Sequence, residues 1–445
     1  MENIKHFVAT IKAIPWSETD GSDIESCRKV VAEINRFLFS TRNDIGSVSA
    51  FGKEFPYFSE FHRFWRQHYR DVLGITIDDV LCESVADALH QVYIETEGRA
   101  FSELYDVCGL RPEEVCRIRL LTGNQDFRGS RGFSYLAKKY KLRPDIFDIN
   151  NIINAPDVFL SALGMTKLSQ GDKRRQFAQK FAMFVQQHGG TPFGLIQKFG
   201  GDISSLREAM IHCDGAGYGN KKTDMVLRDM VVQGVWSNVR EFEKLDVASD
   251  INTIGVALRT GILKTAIPLV SSFLDQFCYQ YAYIDEQNAL AWRRVWQIWG
   301  EKYPTEKLKS PCLLDYFIYN VVGKQFCHDA LAIFKCEHGH TFRWHSSLNR
   351  TCQICKSQGH NRERATLVGK VRPCNDDKGY IAICETPYVK SGAAPRNMKC
   401  CPFKPLCDRH AHKTLQPPKS ISIMGRTGWE TAYANEGDGG GGLMA

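Results

Sequence analysis

The chain carries near its middle the stretch Gly217-Tyr218-Gly219-Asn220-Lys221-Lys222-Thr223-Asp224. Helical periodicity ends just before it, over residues 210–214, and resumes from Lys221 onward. Glycines at 215, 217 and 219 permit positive φ and a close approach of the backbone. The N–H groups that open the second helix then face outward, where an anion such as a DNA phosphate binds. The stretch therefore predicts a helix-hairpin-helix.

A carboxylate follows this hairpin, in Asp250-Ile251-Asn252-Thr253-Ile254. Cleavage of an N-glycosidic bond builds positive charge on the sugar, which a carboxylate near C1′ stabilises. A lysine whose pKa is lowered can attack C1′ and form a Schiff base. Asp250 also suits a helix N-cap, and the two roles can coexist; Asp246 is the competing carboxylate. These residue types indicate glycosidic bond cleavage.

Residues 111–260 resemble the helix-hairpin-helix DNA glycosylases, which include endonuclease III and the 8-oxoguanine glycosylases. The segments that carry the resemblance are Leu120-Leu121-Thr122-Gly123-Asn124-Gln125-Asp126, Ser161-Ala162-Leu163-Gly164-Met165, the hairpin, and the stretch that begins at Asp250. The resemblance implies base flipping, which costs a few kcal/mol. The chain departs from the family at Asn252, where a histidine is frequent, and in the long interval between the hairpin and Asp250.

The resemblance also implies the roles of individual residues. Asp250 matches the family's catalytic aspartate. Counting from the two hairpin glycines gives Lys221 as the family's lysine, whereas counting from the Lys-Thr pair gives Lys222. The expected DNA-binding residues are Gly215, Gly217, Tyr218, Gly219 and Asn220 of the hairpin, with Asn124 and Gln125 of the earlier segment.

Ten of the 16 cysteines lie between Cys312 and Cys407, which indicates bound metal. A Cys-x3-His pair and a Cys-x2-Cys pair supply ligands for tetrahedral zinc, and the set is similar to a zinc ribbon or treble clef. We expect Zn2+ at Cys336, His340, Cys352 and Cys355, with His338 as the alternative ligand. Four protein ligands make such a site structural rather than hydrolytic.

A second group of cysteines remains: Cys327, Cys374, Cys384, Cys400, Cys401 and Cys407. Cys401-Pro402-Phe403-Lys404-Pro405-Leu406-Cys407 resembles the last cysteine pair of the endonuclease III cluster loop, and the helical stretch that ends at Cys327 resembles its beginning. The resemblance implies a [4Fe–4S] cluster at Cys327, Cys384, Cys401 and Cys407. A second zinc site, or free buried thiols, are the alternatives.

These patterns predict a mainly α protein: a two-lobed helical glycosylase fold with a small C-terminal metal-bound cysteine module. We expect a helical region over 1–105, the glycosylase-like domain over 106–330, the cysteine module over 331–412 and a flexible Gly-rich tail over 413–445.

The predicted function is a DNA glycosylase, with AP lyase activity, that acts on double-stranded DNA carrying a modified or damaged base. The alternative is a non-catalytic nucleic-acid-binding protein, in one variant part of a bacterial antiviral defence system. The net charge of +7 permits a nucleic-acid partner without requiring one. No apolar run spans a membrane and the N-terminus lacks a signal peptide, so we expect a cytoplasmic protein. The N-terminal region or the tail can bind a protein partner.

Overall fold

The computed structural model describes residues 74–127, 131–264, 281–326, 331–344, 365–371 and 401–407, the strands at 46–50 and 53–57, and single positions that include Cys352 and Cys355. Within these residues the protein is mainly helical, as the sequence predicts. None of the described helices combines the length and the apolar character that crossing a membrane requires.

The helices differ in length from a single turn to 22 residues. In chain order they are α1 (Asp79–Thr96), α2 (Pro112–Gly123), α3 (Phe133–Leu142), α4 (Ile149–Asn154), α5 (Pro156–Ala162), α6 (Gly171–Gln187), α7 (Leu195–Lys198), α8 (Ile203–Ile211), α9 (Asn220–Val232), α10 (Ile251–Thr260), α11 (Tyr281–Lys302), α12 (Leu313–Tyr316) with a π-helical segment at Phe317–Phe326, and α13 (Lys404–Cys407). Short 3-10 turns lie at Arg99–Phe101, Pro144–Phe147, Phe242–Lys244 and Pro304–Glu306.

The chain divides into two compact units. The hairpin unit comprises His90–Asp250 and Trp299–Phe317, and the cysteine unit comprises Met1–Leu89, Ile251–Ile298 and Ile318–Ala445. The sequence analysis placed its boundaries at 105 and 330, whereas this division falls inside α1 and α11 and directly after Asp250. Patterns read along the chain reveal contiguous segments, but they do not show which distant segments pack together.

The hairpin unit is built around one large apolar core. In α9 the buried positions Thr223, Val226, Leu227 and Met230 recur at i, i+3, i+4 and i+7, so one face of the helix enters the core. In α6 the same spacing buries Phe181 and the residues around it. Both helices are thus amphipathic, in agreement with the periodicity of the sequence.

A buried ionic network fixes the far half of α9 within this unit. The Asp229 carboxylate accepts hydrogen bonds from Arg119 Nε at 2.7 Å, Tyr105 Oη at 3.1 Å and Arg228 Nη2 at 2.6 Å. Arg228 also donates to Asp315. Although burial acts to raise the pKa of Asp229, the two arginines hold it below its usual value. Removal of one member would leave a buried charge uncompensated.

Short strands occur in both the N-terminal and the C-terminal segments. Strands β1 (Gly46–Ala50) and β2 (Lys53–Tyr57) form an antiparallel hairpin, within the region over 1–105 that the sequence analysis expected to be helical. In the sequence two residues separate the strands and one of them is a glycine, a spacing that is typical of a β-hairpin. Strands β3 (Thr76–Ile77) and β4 (Leu263–Lys264) also pair antiparallel.

The cysteine module contains a three-stranded antiparallel sheet in the order β6-β5-β7. Its strands are β5 (Leu331–Lys335), β6 (Thr341–Trp344) and β7 (Thr366–Val371). The β5–β6 register pairs Lys335 with Thr341, so the five residues between them form the tip of a hairpin. A backbone irregularity between Ile333 and Phe334 shifts the register against β7. The predicted tail over 413–445 lies outside the described residues.

Candidate active site and metal centre

Two helices joined by a glycine-containing turn lie at the predicted position in the hairpin unit. Helix α8 ends at Ile211 and α9 begins at Asn220. Gly215 and Gly217 both have φ of +75°, as expected, and a Cβ on Gly217 would lie 2.4 Å from the Phe177 ring. Gly219 differs from the expectation, because its φ is −105° and nothing lies within 4 Å of its would-be Cβ. Two of the three glycines are therefore required by the fold.

The beginning of α9 presents backbone donors to the outside. Gly219 is the N-cap and offers no side-chain cap, and the first intrahelical bond runs from Thr223 N–H to Gly219 O at 3.0 Å. The N–H groups of residues 220–222 accordingly have no acceptor within the helix. Gly219 and Asn220 are exposed. This arrangement suits an anion such as a phosphate.

The two lysines at this helix start lie in different environments. The Lys222 amine donates to Asn124 O at 2.8 Å and to Gly217 O at 3.3 Å. Its Nζ lies 4.7 Å from the centroid of the Phe127 ring and 5.5 Å from that of Phe177. We call this set of two carbonyls and two rings the lysine cradle. Lys221, one residue earlier on the helix, is exposed.

The cradle changes the acidity of the Lys222 amine. The pKa of Lys222 is lowered from 10.5 to about 8, and burial, which disfavours the charged form, is the largest cause. The positive charges of Lys221 and Arg174 contribute to this lowering, and the negative charge of Asp126 opposes it. A sizeable fraction of this amine is thus neutral, and able to act as a nucleophile, near physiological pH.

Asn124, Gln125 and Tyr218 do not lie on the surface. The Asn124 amide donates to Phe177 O and Ala216 O, both at 2.9 Å, and Gln125 Nε2 donates to Asn124 Oδ1 at 3.1 Å. Tyr218 is 4% exposed and its Oη donates to Leu120 O at 2.5 Å. As they lie here, these side chains join the hairpin to α2 and α6. Their contact with DNA stays a prediction, which this packing does not favour.

Arg174 is a site residue that the sequence analysis did not single out. It is fully buried, and its guanidinium donates to Ser169 O at 3.0 Å, Gln125 O at 2.9 Å and Phe127 O at 2.6 Å. Its Cζ lies 4.1 Å from the Phe127 ring, so this ring contacts two cations, Arg174 and Lys222. Arg174 precedes Ala178 by four residues and Phe181 by seven, a spacing that places it on the buried face of α6. This spacing was the signal available in the sequence.

The two helices of the hairpin are joined by a bidentate ion pair. Arg207 on α8 donates through Nε to Asp224 Oδ1 at 2.5 Å and through Nη2 to Oδ2 at 3.1 Å. The same Nη2 donates to Asn220 Oδ1 at 3.3 Å. Asp224 is almost fully buried, and α8 therefore holds the first turn of α9 in place.

Asp250 immediately precedes the first residue of α10 and is half-buried. This is the N-cap position that the sequence allows for it. The competing Asp246 is also half-buried, four residues earlier in the same connection. Within the cysteine unit, Asn252 lies so close to Gly323 that a Cβ on this glycine would be 2.8 Å from that of Asn252. The approach of Asp250 to the lysine amine stays a prediction.

The predicted metal ligands do lie together. The ligand atoms of Cys336, His340, Cys352 and Cys355 are all within 4.8 Å of one another. His340 Nδ1 lies 3.4 Å from Cys336 Sγ, 3.8 Å from Cys352 Sγ and 3.3 Å from Cys355 Sγ. Cys336 Sγ and Cys355 Sγ are 3.6 Å apart. The corners of a tetrahedron around zinc are separated by about 3.5–3.8 Å, so the cluster could hold a metal ion and is compatible with zinc.

The hairpin of the sheet positions this cluster. Cys336 follows β5 and His340 precedes β6, and the tip closes through Cys336 N–H to His340 O at 3.0 Å. Gly339 supplies the positive φ, +81°, that the tip needs. His338 Nδ1 lies 3.8 Å from Cys355 Sγ, but its side chain is exposed. The geometry favours His340 over His338 as the ligand.

The second cysteine group is only partly described. Cys401 is buried, 2% exposed, and the backbone of Cys407 ends α13, which packs against α10. Cys327, Cys374, Cys384 and Cys400 lie outside the described residues. The iron–sulfur cluster and the second zinc site both stay predictions.

A scan against protein-family models returned no match to this chain, and neither did a search of curated proteins.

Proposed function

We propose that the protein is a DNA glycosylase with AP lyase activity, that it has the two-lobed helix-hairpin-helix architecture of the enzymes it resembles, and that Lys222 is its nucleophile. The observation that carries this proposal is the lysine cradle. It keeps one amine largely out of water, next to backbone donors that suit a phosphate, and lowers its pKa to about 8. A lowered pKa supports a nucleophile because it supplies the neutral amine that the attack requires.

The chemistry requires a neutral amine and a carboxylate. The lone pair of Lys222 Nζ attacks C1′ as the bond to the base breaks, and the base leaves with the bonding electrons and takes up a proton. Loss of a proton from the nitrogen and opening of the sugar give an imine, which permits elimination of the 3′ phosphate. Asp250 serves as the carboxylate that stabilises positive charge on the sugar. It belongs to the same unit as the hairpin.

The substrate in this proposal is double-stranded DNA with a modified or damaged base. The hairpin glycines and the first N–H groups of α9 bind a backbone phosphate, and a damaged base leaves the stack at the lowest cost. We also propose that the metal at the Cys336 cluster is a structural Zn2+. Three thiols and one imidazole form a soft donor set, and four protein ligands leave no position for water.

Trapping with borohydride tests the enzymatic proposal. The purified full-length protein is incubated with duplexes that carry a panel of lesions, or an abasic site, and borohydride reduces any imine to a stable covalent complex. We expect Lys222→Gln to abolish the complex and Lys221→Gln to retain it, with Asp250→Asn slowing base release. A complex that Lys222→Gln leaves intact and Lys221→Gln removes would assign the nucleophile to Lys221 instead.

The second candidate is a nucleic-acid-binding protein without glycosylase activity. One observation favours it: the Lys222 amine already has two backbone acceptors, which is what a structural lysine needs to hold a hairpin. Tight binding of the duplex panel, with neither base release nor trapping on any lesion, would support this candidate.

A further inference from the structure

An exposed aromatic ring on α3 lies between two cations, one just before the helix and one on it. Tyr135 is 37% exposed, with Arg131 Cζ 5.9 Å and Lys139 Nζ 5.5 Å from its ring centroid. Arg131 Nη2 donates to Gly164 O at 2.5 Å. Gly164 has φ of +64°, and a Cβ there would lie 3.0 Å from Tyr135 Oη. The turn after α5 thus packs closely against the tyrosine, and the ring is held in place although it faces solvent.

The segment around this ring is strongly basic. Residues 128–143 contain six lysines or arginines and no acidic residue. Two of these cations have partners at the far end, since Lys141 Nζ donates to Cys108 O at 2.7 Å and Arg143 pairs with Asp145 at 2.6 Å. Lys138, beside Lys139, is exposed. Among the described residues, Arg131, Lys138 and Lys139 supply the positive charge near Tyr135 along the chain.

This charge continues toward the lysine cradle. Arg131 is near enough to Arg174 to contribute to the lowering of its pKa, after burial as the larger cause. Arg174 acts in the same way on Lys222. Arg131, Lys139 and Lys222 lie beside the rings of Tyr135 and Phe127 from α3 to the start of α9, and the buried Arg174 supports this row from beneath the Phe127 ring. Alternation of positive charge and aromatic rings is how proteins follow a nucleic-acid strand, because rings stack on bases and cations meet phosphates.

We propose that Arg131, Tyr135, Lys138 and Lys139, together the α3 face, form a second contact surface for a nucleic-acid strand that is also bound at the hairpin. Tyr135 stacks on a base that the lesion leaves without a pairing partner, and Lys138 and Lys139 contact phosphates. An acidic peptide would use the cations but leave the held ring without a role. This inference rests on the nucleic-acid partner of the proposed function and not on its chemistry.

Equilibrium binding tests the proposal with the full-length protein. The probe is a short fluorescein-labelled duplex with one tetrahydrofuran residue, an abasic analogue that cannot form an imine, and anisotropy is measured over a range of salt concentrations. We expect Tyr135→Ala to weaken binding by roughly 5- to 150-fold and Tyr135→Phe to change it less than about twofold. Lys139→Gln should reduce the slope of log K against log salt by about 0.7–0.9.

The matched control is Lys302→Gln in the same unit. Lys302 also lies against a tyrosine, with Nζ 5.8 Å from the Tyr303 ring, but it belongs to α11 and should leave binding unchanged. Wild-type affinity in both Tyr135→Ala and Lys139→Gln, with thermal unfolding unchanged, would overturn the proposal. The proposal would also be overturned if polyglutamate, used as a competitor, bound Tyr135→Ala more weakly than the wild type by the same factor as the duplex.

The two proposals fail in different ways. If no lesion gives an imine but Tyr135→Ala still weakens duplex binding, the nucleophile assignment fails and the α3 face stands. If trapping at saturating DNA is normal and the Tyr135 and Lys139 variants bind like the wild type, the α3 face fails and the nucleophile assignment stands.

Discussion

The lysine cradle makes a quantitative prediction about pH. At pH 7.5 a lysine with a pKa of 10.5 is neutral in about one molecule in a thousand, whereas a pKa of about 8 makes about one molecule in four neutral. The rate of imine formation with an abasic duplex should therefore rise about tenfold per pH unit up to about pH 8 and then level off. Borohydride trapping in single-turnover experiments between pH 5.5 and 9.5 measures this profile.

Two neighbouring charges should move this profile in opposite directions. The Lys221 cation contributes to the lowering of the Lys222 pKa, so Lys221→Gln should raise that pKa and shift the profile to higher pH. The Asp126 carboxylate acts against the lowering, so Asp126→Asn should shift the profile to lower pH. Each shift is expected to be a few tenths of a unit, since water screens exposed charges. Lys222→Met removes the amine and should abolish trapping at every pH.

Folding stability provides an independent measurement of the same pKa. The folded-state pKa lies below that of the unfolded chain, so between about pH 8 and 10.5 the unfolded state binds more protons and the Lys222 contribution to stability rises with pH. From pH 8 to 9.5 this contribution amounts to about 1.6 kcal/mol. It should appear in urea unfolding of the wild type and be missing from Lys222→Met. A trapping profile that levels off only above pH 10, or identical stability profiles for both proteins, would refute the reasoning.

Three further predictions concern the hairpin and the metal centre. Gly217→Ala should destabilise the fold by about 2–3 kcal/mol in urea unfolding, because its φ is positive and Phe177 fills the space, whereas Gly219→Ala should fold normally. Asp224→Ala should lower the free energy of unfolding by about 3 kcal/mol, since it leaves Arg207 half-buried without its bidentate partner. An effect below about 1 kcal/mol would contradict a stabilising role of the ion pair between Arg207 and Asp224. Metal analysis by mass spectrometry should find one zinc equivalent fewer in Cys355→Ser but not in His338→Ala, and equal loss in both would reverse the choice of His340.

The local features of both sites could be predicted from the sequence. Glycine spacing predicts the helix-hairpin-helix because positive φ at 215 and 217 is a property of the residues themselves. The spacing of Cys336, His340, Cys352 and Cys355 predicts the metal ligands because a β-hairpin tip and a Cys-x2-Cys turn place their ligands locally. Only the approach of the Cys336–His340 pair to the Cys352–Cys355 pair depends on residues that are further apart in the chain.

The lysine cradle could not be predicted in this way. Lys221 and Lys222 are chemically equal in the sequence, and only the start of α9 at Asn220 turns one outward and the other inward. The acceptor for Lys222 is the carbonyl of Asn124, 98 residues away. Asn124 belongs to a run of polar residues, a pattern that is typical of an exposed segment. Its amide nevertheless donates to Phe177 O and Ala216 O, which lie far away in the chain. Burial of a polar residue depends on partners that no local pattern reveals.

The two carbonyls that hold the Lys222 amine have a consequence for turnover. An ammonium ion has three protons and a neutral amine two, enough to serve both Asn124 O and Gly217 O, but a protonated imine keeps only one. Covalent capture of a sugar would thus deprive one carbonyl of its donor and loosen the hairpin. Hydrolysis of the imine restores the hydrogen bonds to both carbonyls, so the folded protein would favour release of the captured strand.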